Sequence, residues 1–262
     1  MSHVARHLKP DAEPLQTLRP LNTSVDEAVA VEVPVALTVN GVSQAVMLAT
    51  PADLDDFALG FSLSEGWFTS RRELLDVELD ARPEGIELAL TVTAACEQRL
   101  KARRRTLAGR TGCGLCGVDS LAQLGAVQPA PVRVPTLAAD ALDRALAALP
   151  SAQVLNARCG GLHGAAWCKP SGELMLARED IGRHNALDKL AGALARRDVD
   201  PRDGFVLMSS RASYELVHKT AMAGAGLLAC MSAPSSLAIA TARELGLQLW
   251  AFVREGRATR YA

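Results

Sequence analysis

The residues best suited to chemistry in this sequence are Cys113 and Cys116, in the run Thr-Gly-Cys-Gly-Leu-Cys-Gly. Two thiols three positions apart can share a metal ion, form a disulfide, or divide the roles of nucleophile and helper. The flanking glycines let the backbone turn tightly and leave both sulfur atoms approachable. Six basic residues precede the pair: Arg99, Lys101, Arg103, Arg104, Arg105 and Arg110. Their charge favours the thiolate forms and attracts an anionic partner, although such a run also suits a solvated helix face or a flexible loop.

Three chemistries compete for this cysteine pair. A structural zinc ion needs four ligands, which Cys159, His163 and Cys168 could complete, but the sequence has no second closely spaced cysteine pair. Thioredoxin-type exchange requires the pair between an early strand and a helix, whereas here it follows an arginine-rich stretch in mid-chain. A sulfur carrier needs an exposed, activated thiolate that takes sulfur from a donor persulfide and holds it for delivery. The sequence supplies each element of this third chemistry.

A second polar group runs from Arg178 to Asn185 and continues with Asp188 and Lys189. It is denser than capping of a helix requires, although bracing of the helix start is the simpler interpretation. His184 and Asp188 are four positions apart, so the two side chains can pair along one helical face.

Other polar and thiol groups fit structural roles. The glycine-rich turn Arg158–Gly164 lacks the spacing of a phosphate loop, and His163 within it is expected to be a hydrogen-bonded structural residue. Three cysteines in apolar settings are expected in the core: Cys96, Cys168 and Cys230.

The second half of the chain predicts the elements that position these residues. Strands and helices alternate in the order Phe205–Met208, Ser213–Ala223, Leu227–Met231, Ser236–Leu245 and Leu247–Val253. This alternation predicts parallel strands joined by right-handed crossovers. Functional sites gather at the carboxyl ends of such strands. Three loops rich in hydroxyl groups, Arg or Gly follow them, which are Ser209–Ser213, Ser232–Ser236 and Arg254–Arg257.

The region before this alternation predicts two helices and a hairpin. An Ala/Leu helix covers Leu137–Leu149 and ends at Pro150, and a second helix covers Asn185–Ala195. Between them, Ala165–Cys168 and Leu174–Ala177 flank a Pro-Ser-Gly turn and predict a hairpin.

The first half is typical of a small α+β unit. Val29–Val39, interrupted by Pro34, predicts an edge strand, and Asn40-Gly41 is a hairpin turn that leads into a partner strand over Gln44–Ala49. A helix then opens with Thr50 as its cap, Pro51 as its first residue and Asp53 near its positive end. Its buried face carries Leu54, Phe57, Ala58 and Phe61, and a further strand covers Ile86–Thr93.

Composition and charge exclude several classes of protein. With 28 Lys and Arg against 29 Asp and Glu, the net charge of −1 disfavours a polyelectrolyte role on nucleic acid. Residues Thr220–Thr241 carry no charge, but two glycines and the Pro-Ser-Ser run favour a helix end, strand, turn and new helix over a membrane span. The first ten residues contain no apolar stretch, so no secretory signal is predicted and we expect a cytoplasmic chain with reduced thiols.

Together these blocks resemble one family, the formate dehydrogenase accessory sulfurtransferases (FdhD). The resemblance covers nearly the whole chain beyond the first twenty or so residues. The matching blocks are Asn40-Gly41, Thr50-Pro51, Gly60–Gly66, Cys113–Gly117, Gly160–His163, Arg178–Lys189, Ser210–Glu215, Ser232–Ala238 and Phe252–Arg257. So many dispersed blocks in the expected order are specific, which a lone cysteine pair would not be.

The resemblance implies a cytoplasmic sulfur relay. A cysteine desulfurase would load sulfur on Cys113, with Cys116 assisting. The protein would then pass it to the molybdenum, or tungsten, of the bis-guanine-dinucleotide pterin cofactor destined for formate dehydrogenase. We assign eight residues to binding of that cofactor: Phe252, Val253, Arg254, Glu255, Gly256, Arg257, Arg211 and His184. A non-catalytic cofactor chaperone with structural zinc on the cysteine pair is the alternative function, although we assign no metal ligand.

The resemblance also implies a fold and a domain organisation. We expect a flexible arm over residues 1–22, a small α+β domain over 23–110, and a cytidine deaminase-like α/β/α domain over 111–262. Homodimers are expected, with no nucleic-acid or membrane partner. Ala165 stands where a zinc deaminase would need its glutamate, which argues against deamination. Family members often carry Thr at Cys159 and Gly at Glu255, and an acid at position 255 is unfavourable beside phosphates.

Overall fold

The computed structural model describes residues 13–107 and 128–262 of the chain. The first range forms a four-stranded sheet, a two-stranded ribbon and two helices, as expected of a small α+β unit. Its strands are β1 (Leu15–Leu18), β2 (Glu27–Ala30), β3 (Val33–Val39), β4 (Val42–Ala49), β5 (Leu74–Arg82) and β6 (Gly85–Val92), and its helices are α1 (Leu54–Ser64) and α2 (Ala94–Leu107).

The four-stranded sheet is built around β3 and β6. Its order is β4, β3, β6, β5, with β3 and β6 parallel and the other neighbours antiparallel. Asn40 and Gly41 join β3 to β4 with φ angles of 44° and 76°. A two-residue turn that matches the twist of its strands needs both residues in this left-handed region, which confirms the hairpin. The predicted apolar face of α1 is buried against this sheet.

Three expectations for the first half are wrong. β3 is an inner strand and not an edge, and Pro34 is tolerated because pairing with β6 begins only at Val35. Thr50 does not cap α1, which begins at Leu54 after Asp53 at φ 51°, because Thr50 is instead hydrogen-bonded to the second half of the chain. Within the arm expected to be flexible, Leu15–Leu18 forms β1 by antiparallel pairing with β2.

The second range forms a six-stranded sheet with helices on both faces. Its strands are β7 (His163–Cys168), β8 (Leu174–Asp180), β9 (Phe205–Met208), β10 (Leu227–Cys230), β11 (Gln248–Arg254) and β12 (Arg257–Arg260). Its helices are α3 (Ala141–Ala152), α4 (Asn156–Cys159), α5 (Arg183–Arg196), α6 (Tyr214–Met222) and α7 (Ser236–Leu245). The strand order is β12, β11, β10, β9, β7, β8.

The predicted alternation is confirmed, since β9, β10 and β11 are parallel neighbours. Helices α5, α6 and α7 cover one face of the sheet and α3 covers the other, which gives three layers. The particular likeness to cytidine deaminases stays a prediction. Pro150 does not end α3, which continues to Ala152, because Ala145 and Leu149 hold this part of the helix in the core.

The two halves meet where α1 packs against α5. A Cβ atom added to Gly60 would lie 1.7 Å from the carbonyl oxygen of Asp188, and one added to Gly192 would lie 1.8 Å from that of Asp56. The backbones therefore touch at two points where only glycine fits. Among the helices in the described ranges, none has the length and apolar character needed to cross a bilayer.

Candidate functional site

The cysteine pair, Cys113 and Cys116, lies outside the described residues, so its assignment stays a prediction. Two members of the basic cluster before it are described. Arg99 Nη2 lies 2.6 Å from Glu73 Oε2, and Lys101 Nζ lies 2.5 Å from Glu97 Oε1. These two side chains therefore fit a solvated, ion-paired helix face.

The three polar loops lie side by side at one edge of the six-stranded sheet. Ser232 N–H donates to Ser210 O at 3.2 Å, and Phe252 N–H donates to Ser232 O at 3.1 Å. Ala212 and Pro234 form a parallel bridge between the first two loops. The carboxyl ends of β9, β10 and β11 share this edge, so the three loops that follow these strands are neighbours, as the predicted parallel pairing implies.

His163 joins this edge from the first residue of β7. Strand β7 is antiparallel to β9, and Gly164 N–H donates to Ser209 Oγ at 2.8 Å. Burial lowers the pKa of His163, and the positive charges of Arg183, His184 and Arg211 lower it further. His163 therefore lies at the same edge of the sheet as Ser209 and the loop that it begins.

His184 pairs across the edge with α6 and not along its own helix. Its Nε2 lies 2.6 Å from Glu215 Oε2 and 3.4 Å from Ser213 Oγ. The predicted pairing with Asp188 is wrong, because Asp188 is fully buried beneath α6 and contacts Lys219 Nζ at 2.9 Å. The hydrogen bond from His184 is the largest cause of the lowered pKa of Glu215.

Several features make this edge suited to an anion. The Nε of Arg183 is buried and has no hydrogen-bond partner among the described residues. Arg211 is exposed, and Ser213 caps α6 by accepting from Leu216 N–H at 3.4 Å. The amino ends of α5 and α6 therefore lie near Arg183, Arg211 and the partly exposed His184. The amino end of a helix favours negative charge.

The rest of the polar group Arg178–Lys189 braces the two halves. Arg178 Nη2 binds Asp56 Oδ2 at 2.7 Å, and Asp180 Oδ2 accepts from Thr50 N–H at 3.0 Å. Asp180 also binds Lys189 Nζ at 2.6 Å, and both side chains are fully buried. These residues therefore brace the two halves of the chain and not the helix start alone, while His184 pairs with Glu215 at the edge of the sheet.

A second buried ion pair lies under α6. Lys219 Nζ contacts Asp188 Oδ2 at 2.9 Å, Ser64 Oγ at 2.9 Å and Glu65 Oε1 at 3.0 Å. Burial opposes the charged form, but the carboxylates of Asp188 and Glu65 raise the pKa of Lys219. Lys219 therefore ties α6 to the end of α1 and to α5.

The predicted cofactor segment Phe252–Arg257 forms the end of β11, the turn and the start of β12. Phe252 has a φ of 52°, which is unusual for a bulky residue, and the pairing register shifts between Ala251 and Arg254. This bend brings Gly256 N–H to 3.2 Å from Asp143 Oδ1 on α3.

The side chains of this segment differ in exposure. Arg254, Glu255, Gly256 and Arg257 are exposed at the turn, whereas Val253 is fully buried beneath α3. The Val253 side chain therefore cannot contact a ligand. The Arg254 guanidinium lies 5.9 Å from the centre of the Phe252 ring.

A cleft of about 560 Å³ lies elsewhere, between α1, α5 and the end of α6. Its lining includes Ala191 and Ala195 of α5, and eleven positions separate Ala195 from His184. Ala191 is nearer, and at about 1.5 Å of rise per residue it lies roughly 10 Å along α5 from His184. His184 belongs to the cationic edge, the edge of the six-stranded sheet that also carries Arg183 and Arg211, and none of these three residues lines the cleft. It is therefore separate from the candidate site.

Within the described ranges, no group of three or more His, Cys, Asp or Glu side chains could hold a metal ion. His163 and Cys168, both considered as zinc ligands from the sequence, lie at opposite ends of β7 and on opposite faces of the sheet. Five strand residues span roughly 16 Å, so these two side chains cannot share an ion.

Comparison with known proteins supplies the family. The model of the FdhD/NarQ family matches residues 30–262. The chain belongs to the FdhD/NarQ family. The sulfur carrier protein FdhD of Variovorax paradoxus is 56% identical over 226 residues, which cover 86% of this chain and 81% of that relative. The sulfur carrier protein FdhD of Cupriavidus necator is 54% identical over 243 residues, which cover 92% of this chain and 84% of that relative.

The fold of this family is also found among solved structures. A Desulfotalea psychrophila protein described as a formate dehydrogenase accessory protein superposes with a TM-score of 0.72 at 21% identity, over 94% of each chain. The family resemblance is therefore confirmed. Sequence reasoning missed Arg183 and Glu215, although their positions at the starts of helices that follow strands of one sheet were available as a signal.

Proposed function

We propose that this chain is a sulfur carrier that serves formate dehydrogenase maturation. A cysteine desulfurase supplies the sulfur, and the acceptor is the molybdenum of a bis-guanine-dinucleotide pterin cofactor. The observation that carries the proposal is the 56% identity to a relative named as a sulfur carrier protein. The same proposal includes a sulfurtransferase activity, a cytoplasmic location and a homodimer.

Loading follows the chemistry of thiolates. The Cys113 thiolate attacks the outer sulfur of the donor persulfide, a new S–S bond forms, and the donor cysteine leaves as a thiolate. Cys116 assists at the same site. Arg103, Arg104, Arg105 and Arg110, which precede Cys113 in the sequence, would favour the thiolate because a nearby positive charge stabilises it.

The cationic edge supports a polyanionic acceptor. A guanine dinucleotide carries phosphate groups, and arginine binds phosphate through paired charge-assisted hydrogen bonds. Arg211 is exposed and offers such donors beside the amino end of α6. The neighbouring turn adds Arg254 and Arg257, which are exposed.

Mass spectrometry tests the loading step. After incubation with a cysteine desulfurase and cysteine, the peptide that holds Cys113 and Cys116 is expected to gain one sulfur atom. Cys113→Ala abolishes this gain, and Cys159→Ala is the matched control that keeps it. Loading that Cys113→Ala leaves intact would contradict the assignment.

Two further measurements separate the alternatives. Stoichiometric zinc on the purified chain that Cys113→Ala and Cys116→Ala both remove would favour a cofactor chaperone over a carrier. Efficient reduction of insulin disulfides would favour a thiol oxidoreductase. Loss of formate dehydrogenase activity in a deletion strain that carries Cys113→Ala would connect the chain to its client.

A further inference from the structure

Arg254 and Arg257, the arginine pair, stand directly opposite each other where β11 turns into β12. They are partners in the antiparallel ladder, so Glu255 and Gly256 form a two-residue turn between them. Residues directly opposite in a ladder project from the same face of the sheet, where like charges repel. Among the described residues, no carboxylate forms an ion pair with either guanidinium. The arginine pair is therefore suited to a ligand that carries more than one negative charge.

The arginine pair projects away from α3. Val253 and Ala258 are the strand residues adjacent to the two arginines, and both pack in the core between α3 and the sheet. Successive residues of a strand point to opposite faces of the sheet. Arg254 and Arg257 therefore lie on the other face, which α5, α6 and α7 cover. Arg211, the exposed arginine of the cationic edge, directly precedes the α6 cap on that same face.

The backbone that carries the arginine pair is irregular. The pairing register shifts between Ala251 and Arg254, so the hairpin contains a bulge. Phe252 in this bulge has a φ of 52°, a left-handed conformation that glycine usually supplies. Its N–H donates to Ser232 O at 3.1 Å. Contacts from outside the hairpin therefore hold this part of β11.

A side chain from α3 holds the turn itself. Two-residue turns that match the twist of their strands need a positive φ at the first residue, which is Glu255 here, but only Gly256 has one, at 65°. Gly256 N–H donates to Asp143 Oδ1 at 3.2 Å. Because α3 covers the face opposite to the arginine pair, Asp143 acts on the backbone of the turn and not on a ligand of the arginines.

We propose that Asp143 is a positioning residue: by accepting from Gly256 N–H, it holds the turn so that both members of the arginine pair bind the phosphate groups of the acceptor together. This inference rests on the proposed function, because the phosphates belong to the guanine dinucleotide. Hydrogen bonds between arginine and phosphate need donor–acceptor distances of about 2.7–2.9 Å. A turn that shifts would move both guanidinium groups away from such distances at once.

Two substitutions at position 143 test the hydrogen bond without a difference in charge. Asp143→Asn and Asp143→Ala both remove the carboxylate charge, but only Asn keeps an oxygen that can accept from Gly256 N–H. The probe is guanosine diphosphate, and the measurement is calorimetry on the full-length chain. Asp143→Ala is expected to bind about fivefold more weakly than Asp143→Asn. Asp76→Asn and Asp76→Ala, at an exposed acid on β5, are the matched controls and bind alike.

Removal of the arginine pair shows whether Asp143 acts through it. Arg254→Gln combined with Arg257→Gln removes both guanidinium charges and is expected to weaken binding about tenfold. In that background, Asp143→Ala and Asp143→Asn are expected to differ by less than about twofold, because the turn no longer carries the groups that it positions. A purely structural role of Asp143 would leave the fivefold difference in place.

The outcomes separate this inference from the proposed function. Asp143 is exposed, so both variants are expected to fold, and urea unfolding checks this. Equal binding by Asp143→Ala and Asp143→Asn would overturn the inference and leave the proposed function standing, as would a fivefold difference that persists without the arginine pair. If the unaltered chain bound no guanosine diphosphate, both the dinucleotide acceptor and this inference would be rejected.

Discussion

Lys189 and Asp180 form a fully buried ion pair, with 2.6 Å between Nζ and Oδ2, at the junction of the two halves of the chain. Both partners also bind the backbone of Thr50, which belongs to the first half. The pair therefore satisfies polar groups of both halves at once. We expect the two halves to unfold together, because separating them would break the contacts of Lys189 and Asp180 with Thr50 and leave buried polar groups without partners.

Asp180→Asn is expected to destabilise the chain by about 3–5 kcal/mol, because it leaves the charge of Lys189 buried without its partner. Urea unfolding measures this loss. Asp26→Asn is the matched control, since the Arg19–Asp26 pair is exposed and worth less than about 1 kcal/mol. Similar losses in the two variants would contradict the stabilising role of the buried pair.

Gly192→Ala is expected to destabilise the chain by about 1–3 kcal/mol or more, because a Cβ atom there meets the backbone of α1. Thermal or urea unfolding measures the effect. Gly161→Ala is the control: the nearest atom to its Cβ is 4.0 Å away, and stability should change by less than about 0.5 kcal/mol. Equal effects at both glycines would show that α1 and α5 do not touch.

The stability of the chain is expected to rise with pH through the titration of His163. Its pKa is lowered in the folded state, so the unfolded chain binds more protons at mildly acid pH. The free energy of unfolding therefore falls as the pH drops below about 6.5, the ordinary value for histidine. His163→Gln should flatten this dependence below about pH 6.5, as measured by urea unfolding. An unchanged slope would show that other groups cause it.

Glu255→Gln is expected to bind guanosine diphosphate about twofold to fivefold more tightly, because it removes an exposed negative charge between Arg254 and Arg257. Calorimetry measures the change, and the gain should shrink at high salt because screening weakens exposed charges. Weaker binding would mean that the carboxylate contacts the nucleotide.

Alkylation of the folded chain is expected to spare three cysteines. Burial raises the pKa of Cys168 to about 12 and also raises the pKa values of Cys96 and Cys230. A thiol that is buried and protonated is a poor nucleophile. Peptide mapping after brief iodoacetamide treatment should find these three unmodified, and modified only once the chain is unfolded. Rapid labelling of Cys168 would contradict its burial beneath α3.

The sequence by itself determined the alternating strands and helices from β9 to β11 and the edge where the candidate site lies. The spacing of apolar residues and the length of each run distinguish a strand such as β9 from a helix such as α6, because each pattern is contained within a few neighbouring residues. Parallel pairing then follows from the alternation, and it places the three polar loops together. The same reasoning missed β5, β12 and α2, and it placed the start of α1 three residues too early, at Pro51.

The tertiary structure alone decided which charged side chains pair. His184 and Asp188 share a helical spacing, yet His184 binds Glu215 and Asp188 binds Lys219. Such choices depend on which elements pack against α5, and that packing is set by contacts between residues more than a hundred positions apart, such as Gly60 and Gly192. Local patterns carry no record of those contacts, so the division of one polar motif into buried braces and a partly exposed histidine at the sheet edge was visible only in the folded chain.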